Sequence, residues 1–464
     1  MLTKAEPDQA EVNDQPARLF LIGAVLVFCA ALAAYLTDVA AHRGGLLAWF
    51  DLNVYNDAGL ITRQLPSYLY IWELSRTIKF TYTPFAAVVF AGGSFLPWAV
   101  LRWVMTIASL VSVPVTAWLT LGALGRRGAS RAAAALAVGA VALWTEPVVK
   151  SLFLGQIEPL LLLLVVWDLT RDDRRRWKGV GIGIAAGIKL VPLLFIPYLL
   201  LAGRFRQAAV ATATFAATFA IGFVVLPGPS ASYWLTGYFI RPGRTGGVDS
   251  LVNQSLLGMI ARQVGGGVYA EPFWLPVAVV VALGGVAAGA ALNRAGKAVP
   301  GWVLVGITSV LVSPISWDHH WVWIVPMLAM LAGLAMTAFG RDRWAYLTAA
   351  LVTAVVFGSW TAKYSGPDAF VPSRGLIGWF VQPRGTEATN LHGWQLLSWN
   401  LFVVGGLVSY AVLVAGAWRA WRSQRGRPTA APGLSSPVEA LLARADAVLK
   451  SSGALLARDR TRLP

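Results

Sequence analysis

The chain has 464 residues, of which 57% are hydrophobic and only 13% charged. Soluble domains carry nearly twice that share of charge, and here the apolar residues run in long blocks, so an ordinary soluble enzyme is excluded and a polytopic helical membrane protein is expected. The net charge of +16 does not point to nucleic acid, because Arg and Lys gather in short loops between apolar runs, where such charge sets orientation.

Residues 1–18 are polar, with Glu6, Asp8, Glu11 and Asp14, and no cleavable signal peptide is evident. A disordered cytoplasmic N-terminus is expected there. Leu19 to Leu36 forms the first span and contains the single cysteine, Cys29, so no intrachain disulfide or Cys-based metal site can form. Residues 37–82 make a polar loop, within which Leu65–Leu74 reads as a short interfacial helix carrying Tyr68, Tyr70 and Trp72. Further apolar runs cover about 83–97, 98–123, 132–148, 154–169, 180–202, 207–226, 274–292, 299–316, 321–339, 345–360 and 398–418, which makes twelve segments. The glycines of Gly179–Gly187 are spaced for helix packing rather than for a phosphate loop.

Loop charge sets the expected orientation. Arg419, Arg422, Arg425 and Arg427 place the C-terminal tail inside, and counting back places Arg341, Arg343, Arg294 and Lys297 inside too. The loops 37–82, 227–273 and 361–397 and the turn at Trp317–His320 then fall outside. Twelve crossings would leave Arg126, Arg127, Arg131 and the cluster Arg171–Lys178 outside, against the rule. Two re-entrant segments remove the conflict. The run 180–202, interrupted by Lys189 and Pro192, and the short run 83–97 are the candidates. The expected organisation is thus a cytoplasmic N-terminus over 1–18, a transmembrane domain over 19–418, and a basic cytoplasmic tail over 419–464. In that tail Ser436–Glu439 reads as a capping box opening an amphipathic helix.

The chain's chemistry-bearing residues collect on the outer face. Asp51 and Asp57 stand in the first outer loop, in Phe50-Asp51-Leu52-Asn53-Val54-Tyr55-Asn56-Asp57. A carboxylate there can serve as a general base, and it can equally be a helix cap or a solvated loop acid. His319 and His320 can donate to a phosphate oxygen, or can sit as interfacial residues in the aromatic belt of Trp317, Trp321 and Trp323. Lys189 lies in an apolar run, where a charge must be paired, face a cavity or snorkel to the surface. Asn253, Gln254 and Arg262 in a long outer loop can bind sugar or phosphate, or merely hold the loop. Gln156 can act in the site or bond between helices.

Several of these pieces carry a resemblance. Asp51-Leu52-Asn53-Val54-Tyr55 is similar to the first outer loop of the GT-C glycosyltransferases, specifically the actinobacterial polyprenol-phosphate-mannose-dependent family that includes PimE. Phe80-Thr81-Tyr82-Thr83-Pro84-Phe85, Leu154-Gly155-Gln156, Ile188-Lys189-Leu190-Val191-Pro192, Asn253-Gln254-Ser255-Leu256 and Ser313-Pro314-Ile315-Ser316-Trp317-Asp318-His319-His320 extend the likeness. Thr83 stands where the family pattern leads one to expect Pro, and the chain from 428 onward lies outside the resemblance.

The resemblance implies an all-α GT-C fold of about 10–12 transmembrane helices, in the plasma membrane, with an active site built by outer loops. It implies transfer of mannose from polyprenyl-phosphate-mannose to a mannosylated lipid, a phosphatidylinositol mannoside, through an alpha-1,2 linkage. The reaction is an inverting single displacement in which polyprenyl phosphate leaves without a general acid. On this reading Asp51 is the base and Asp57 ranks second. His319, His320 and Lys189 face the donor phosphate, and Asn253, Gln254, Arg262, Tyr55 and Gln156 complete the substrate-binding set. No metal is assigned, the cofactor role falls to the lipid-linked donor, and neither the oligomeric state nor a nucleic-acid partner is implied. Rival acceptor or donor classes are lipomannan branching and decaprenyl-phosphate-arabinose. A multi-pass transporter or flippase is the alternative of another class. It would place ionisable residues near the bilayer midplane and show related halves, whereas here they gather at one face.

Overall fold

A computed structural model describes residues 15–41, 47–74, 78–240, 247–359, 375–378 and 393–425, and these are almost wholly helical. The capping box and helix expected after 427, and most of the loop 361–397, lie outside the described residues. Five helices are long and apolar enough to cross a membrane: α1 (Gln15–Ala41), α4 (Trp98–Ala123), α10 (Phe205–Val225), α12 (Gly267–Arg294) and α17 (Leu401–Arg425). A sixth span arises if α6 (Glu146–Leu154) and α7 (Glu158–Thr170), bent by 119°, are taken together. The segment expected as one run over 154–169 is therefore the second arm of a corner.

Shorter helices fill the rest. α2 (Phe50–Gln64) packs on α3 (Pro84–Gly93), and α5 (Gly128–Leu143) follows α4. α8 (Val180–Ile188) and α9 (Phe195–Leu201) flank a break, α11 (Leu256–Val264) precedes α12, and α13 (Ala298–Val312), α14 (Ile324–Ala335), α15 (Gly340–Val356) and α16 (Trp394–Trp399) complete the order. A 3-10 helix over Asp318–Trp323 joins α13 to α14. The chain to Trp418 forms one contact unit and Arg419 onward a second.

The helix expected over Leu65–Leu74 is absent. The helical stretch is α2, just before it. Leu65 leaves helical geometry (φ −143°, ψ 57°) and Pro66 has no N–H to continue the ladder. One 3-10 turn over Pro66–Tyr68 then leads to β1 (Glu73–Leu74), paired antiparallel with β2 (Ile78–Lys79).

Two ends of the bundle differ in chemistry. At one end Arg131 donates to the Trp118 carbonyl at 2.8 Å and Arg126 reaches Thr337 Oγ1 at 3.4 Å. Arg204 binds Asn293 Oδ1 at 3.1 Å and pairs with Asp173. These contacts join the basic loop near 126–131 to that near 337–343, and the loops near 171–178, 204–206 and 293–297 to one another. α7 carries Glu158 at the opposite end from Asp168 and Arg171, and its 13 residues span about 20 Å. Acidic and basic loops thus lie at opposite ends.

The interrupted segment 180–202 starts and finishes at the basic end. Asp168 accepts from Gly179 N at 2.9 Å and Ile182 N at 3.1 Å where α8 begins, and Arg204 closes the exit of α9. Between them Lys189 is extended (φ −138°, ψ 129°) and turns at the far pocket. α3 likewise does not cross. It begins beside Gly187, whose carbonyl accepts from the Thr83 hydroxyl, and ends at Ser94, held by Arg63 of α2. Thr83, in place of the expected Pro, also caps α3 by accepting from Ala86 N at 3.1 Å.

Small residues let α8 approach its neighbours closely. A Cβ on Gly181 would meet the Leu164 carbonyl oxygen at 2.8 Å, and one on Gly183 would meet Thr214 Cβ at 2.5 Å and the Ala211 carbonyl oxygen at 2.6 Å. Gly183→Ala should therefore destabilise the protein by about 1–3 kcal/mol, the usual range for overpacking. Gly92→Ala, where a Cβ meets nothing within 4 Å, should leave the melting midpoint of the detergent-solubilised protein unchanged or slightly raised.

Candidate active site

Two tight turns set the pocket. Trp49 adopts a left-handed backbone (φ 47°, ψ 34°), a conformation costing about 1–2 kcal/mol for a residue with a side chain. It is held there because Ala48 N and Trp49 N both donate to the Phe153 carbonyl, at 2.9 and 2.8 Å, and Trp49 Nε1 donates to Thr106 Oγ1 at 3.0 Å. Opposite, Gly155 closes α6 in a left-handed conformation (φ 68°), and a Cβ there would lie 2.8 Å from Leu52 Cβ. The glycine is required twice, by its φ and by the close approach of α2. The result presses the first turn of α2, with Asp51, against Gln156.

Gln156 joins three chain segments. Its Oε1 accepts from Tyr55 OH at 2.6 Å and Tyr82 OH at 3.3 Å, and the two phenols meet at 2.7 Å. With Oε1 engaged by donors, Nε2 is turned to donate to Asp51 Oδ2. Tyr55 is four residues from Asp51 and so shares its helix face. Asp51 is partly covered, and burial, the largest cause, raises its carboxyl from 3.8 to about 6 against the lowering effect of His319.

Beside this carboxylate lies a lysine–histidine cluster. Lys189 pairs with Glu158, stands 2.9 Å from His320 Nε2, and lies 5.3 Å from the centre of the Tyr82 ring. His320 Nε2 is 3.4 Å from Glu158 Oε1, while the backbone of Ile315 also bonds the ring. Burial first, then Lys189 and His319, push His320 well below the usual histidine range, so it is neutral and accepts from the ammonium. His319 packs edge-on against His320 at 4.7 Å between centroids, with Nδ1 3.2 Å from Asp318 Oδ1. Among the described residues, three buried polar atoms here have no hydrogen-bond partner: Glu158 Oε2, Asp318 Oδ2 and His319 Nε2. Buried polar atoms are rarely left so, and such a set suits a polar ligand. Ligand atoms of Glu158, His319 and His320 also lie within 4.8 Å of one another, spacing that a cation could use. Lys189 already presents its ammonium to two of them.

The structure thus brings together Asp51, Tyr55, Gln156, Lys189, His319 and His320 from the expected set. Asp57 is not with them. Six residues on along α2, it is turned about 240° around the helix from Asp51. Asn253, Gln254 and Arg262 are buried and bonded to the protein. Asn253 Oδ1 accepts from Ser316 N at 2.9 Å, while Gln254 Nε2 donates to the Leu251 and Trp399 carbonyls. Arg262 donates to Asn400 Oδ1 at 2.6 Å and to the Ser250 and Asn253 carbonyls. These three tie the outer loop to α13 and α17, and their bonding capacity is spent there.

Three members of the pocket are absent from the expected set: Tyr82, Glu158 and Asp318. A signal existed for Glu158. An acid opening the apolar run of α7 is expensive in a membrane unless it is paired, and Lys189 in the next apolar run is its partner.

A profile of glycosyltransferase family 87 matches residues 80–314. A polyprenol-phosphate-mannose-dependent alpha-(1-2)-phosphatidylinositol pentamannoside mannosyltransferase of Mycobacterium tuberculosis is 31% identical over 340 residues, covering 71% of this chain and 76% of its own. A polyprenol-phosphate-mannose-dependent alpha-(1-2)-phosphatidylinositol mannoside mannosyltransferase of the same species is 28% identical over 339 residues, covering 70% and 76%. A pentamannoside mannosyltransferase of Mycolicibacterium smegmatis is 30% identical over 280 residues, covering 59% and 67%. No solved structure matches the chain. With a profile over half its length and relatives along most of it, the chain belongs to glycosyltransferase family 87 and is a membrane-embedded glycosyltransferase.

Proposed function

We infer that the enzyme transfers mannose from polyprenol-phosphate-mannose to a phosphatidylinositol mannoside through an alpha-1,2 linkage. The observation that carries this reading is the pairing within one pocket of a partly exposed carboxylate, Asp51, with a lysine–histidine cluster at Lys189, His319 and His320. A phosphate-linked sugar needs both: a base for the incoming hydroxyl and positive or donor groups for the leaving phosphate. The names of the relatives supply the donor and acceptor classes.

The reaction is a single displacement. The acceptor hydroxyl attacks C1 of mannose as its proton passes to Asp51, the new oxygen–C1 bond forms, and the bond from C1 to the phosphate oxygen breaks. Polyprenyl phosphate leaves with the electron pair. It is already a weak base, so no general acid is required. Gln156 holds the Asp51 carboxylate toward the hydroxyl, and Tyr55 and Tyr82 hold Gln156. Lys189 and His319 face the phosphate, His320 holds the Lys189 ammonium, and Glu158 Oε2 can accept from a sugar hydroxyl. The basic end of the bundle lies in the cytoplasm by the positive-inside rule, and the pocket opens to the outer face.

Asp51→Asn keeps the size and the bond from Gln156 but cannot take a proton. It should lower transfer by about 10²-fold or more, while donor binding and the melting midpoint stay near wild type. Asp57→Asn, on another face of α2, should stay within about twofold. Near wild-type turnover in Asp51→Asn would sink the assignment.

The orientation can be read separately with single cysteines in a Cys29→Ser background. A cysteine at exposed Ser67 should react with an impermeant thiol reagent on intact cells. One at exposed Ser130, in the basic end, should react only after permeabilisation. The reverse pattern would move the pocket to the cytoplasm.

A further inference from the structure

The reaction above leaves one buried charged group unused. Glu146 and Lys150 lie four residues apart on α6, at 0% and 2% exposure. Lys150 Nζ is 3.9 Å from Glu146 Oε1 and 4.0 Å from Asp318 Oδ2. Asp318 Oδ1 in turn accepts from His319 N at 2.8 Å and faces His319 Nδ1 at 3.2 Å. The order is therefore Glu146, Lys150, Asp318, His319, ending at an Nε2 with no partner.

We propose that Lys150, its ammonium steadied by Glu146, is a positioning residue that acts through Asp318 to hold His319 with Nε2 toward the donor phosphate. Burial makes each link necessary. A carboxylate held at 2% exposure stays ionised only if a cation stands by, and Lys150 is that cation for Asp318. An ionised Asp318 accepts from Nδ1–H, and that fixes both the ring orientation and the nitrogen left for the substrate. The role rests on the reading that His319 faces that phosphate.

The test is a double-mutant cycle on the full chain in detergent or nanodiscs, with polyprenol-phosphate-mannose as donor. Lys150→Met keeps the stem and removes the charge. It should lower kcat at least tenfold and move the acceptor KM by less than threefold. Lys150→Arg, which keeps the cation, should recover at least a third of wild-type kcat. If Lys150 works through His319, Lys150→Met with His319→Ala should be no slower than His319→Ala alone, within twofold. Losses that multiply, or near wild-type kcat in Lys150→Met, would overturn the proposal. Should Lys150→Met fail to fold, the same cycle with near-isosteric Asp318→Asn decides by the same criteria. A wild-type chain that transfers no mannose faults the function itself; an active wild type with multiplying losses faults only the positioning role.

Discussion

An ammonium carried into an apolar segment persists only where something negative meets it, and the pocket depends on that requirement being satisfied at Lys189. Glu158 supplies the charge and His320 a second acceptor, at 2.9 Å. Meeting them obliges α8 to stop at Ile188, the backbone to extend through Lys189, and Pro192 to open a new helical turn. The carbonyl left at Gly187 is taken by Thr83, which also starts α3. One ion pair thus links the break in 180–202, the corner between α6 and α7, the 3-10 helix of the histidines and the helix that packs on α2.

That arrangement also answers the orientation problem raised by loop charge. A segment that turns back at Lys189 returns its Arg-rich flanks to the same end of the bundle. Arg204 meets Asp173 and Asn293, and Arg126 meets Thr337, so the basic loops gather in two groups. α3, likewise, runs only from Pro84 to Gly93. The ionisable residues form one pocket reached from one end, rather than the paired broken helices at the midplane that mark a transporter.

The composition and long apolar blocks made the fold class legible, and Lys189 with Pro192 marked the interruption within 180–202. The corner at Gly155 was not legible. α6 and α7 read as parts of ordinary spans because periodicity carries no information about a 119° bend. Lys189 and the histidines stood out as polar groups in apolar or aromatic settings, whereas Asp51 stood in a polar loop as a carboxylate and Tyr55 came only with the family resemblance. Gln156 gave little sign of gripping the base, because its phenol partners lie 101 and 74 residues away. The reverse holds for Asn253, Gln254 and Arg262. As loop amides and a guanidinium they look ready for a ligand, and only the fold brings Trp399 and Asn400 to them from across the chain.

If Asp51 takes a proton from the acceptor, the pH dependence of kcat/KM must show it. Burial raises the Asp51 carboxyl from 3.8 to about 6, so the base is ionised above that value and protonated below it. The donor's phosphodiester stays ionised throughout, and kcat/KM reports the free enzyme's essential groups. The account predicts activity that is level near pH 7–8 and falls about tenfold per unit as pH drops below roughly 6, with that acidic limb missing from the residual activity of Asp51→Asn. A wild-type profile flat between pH 5 and 8, or a limb that persists unchanged in Asp51→Asn, would contradict it.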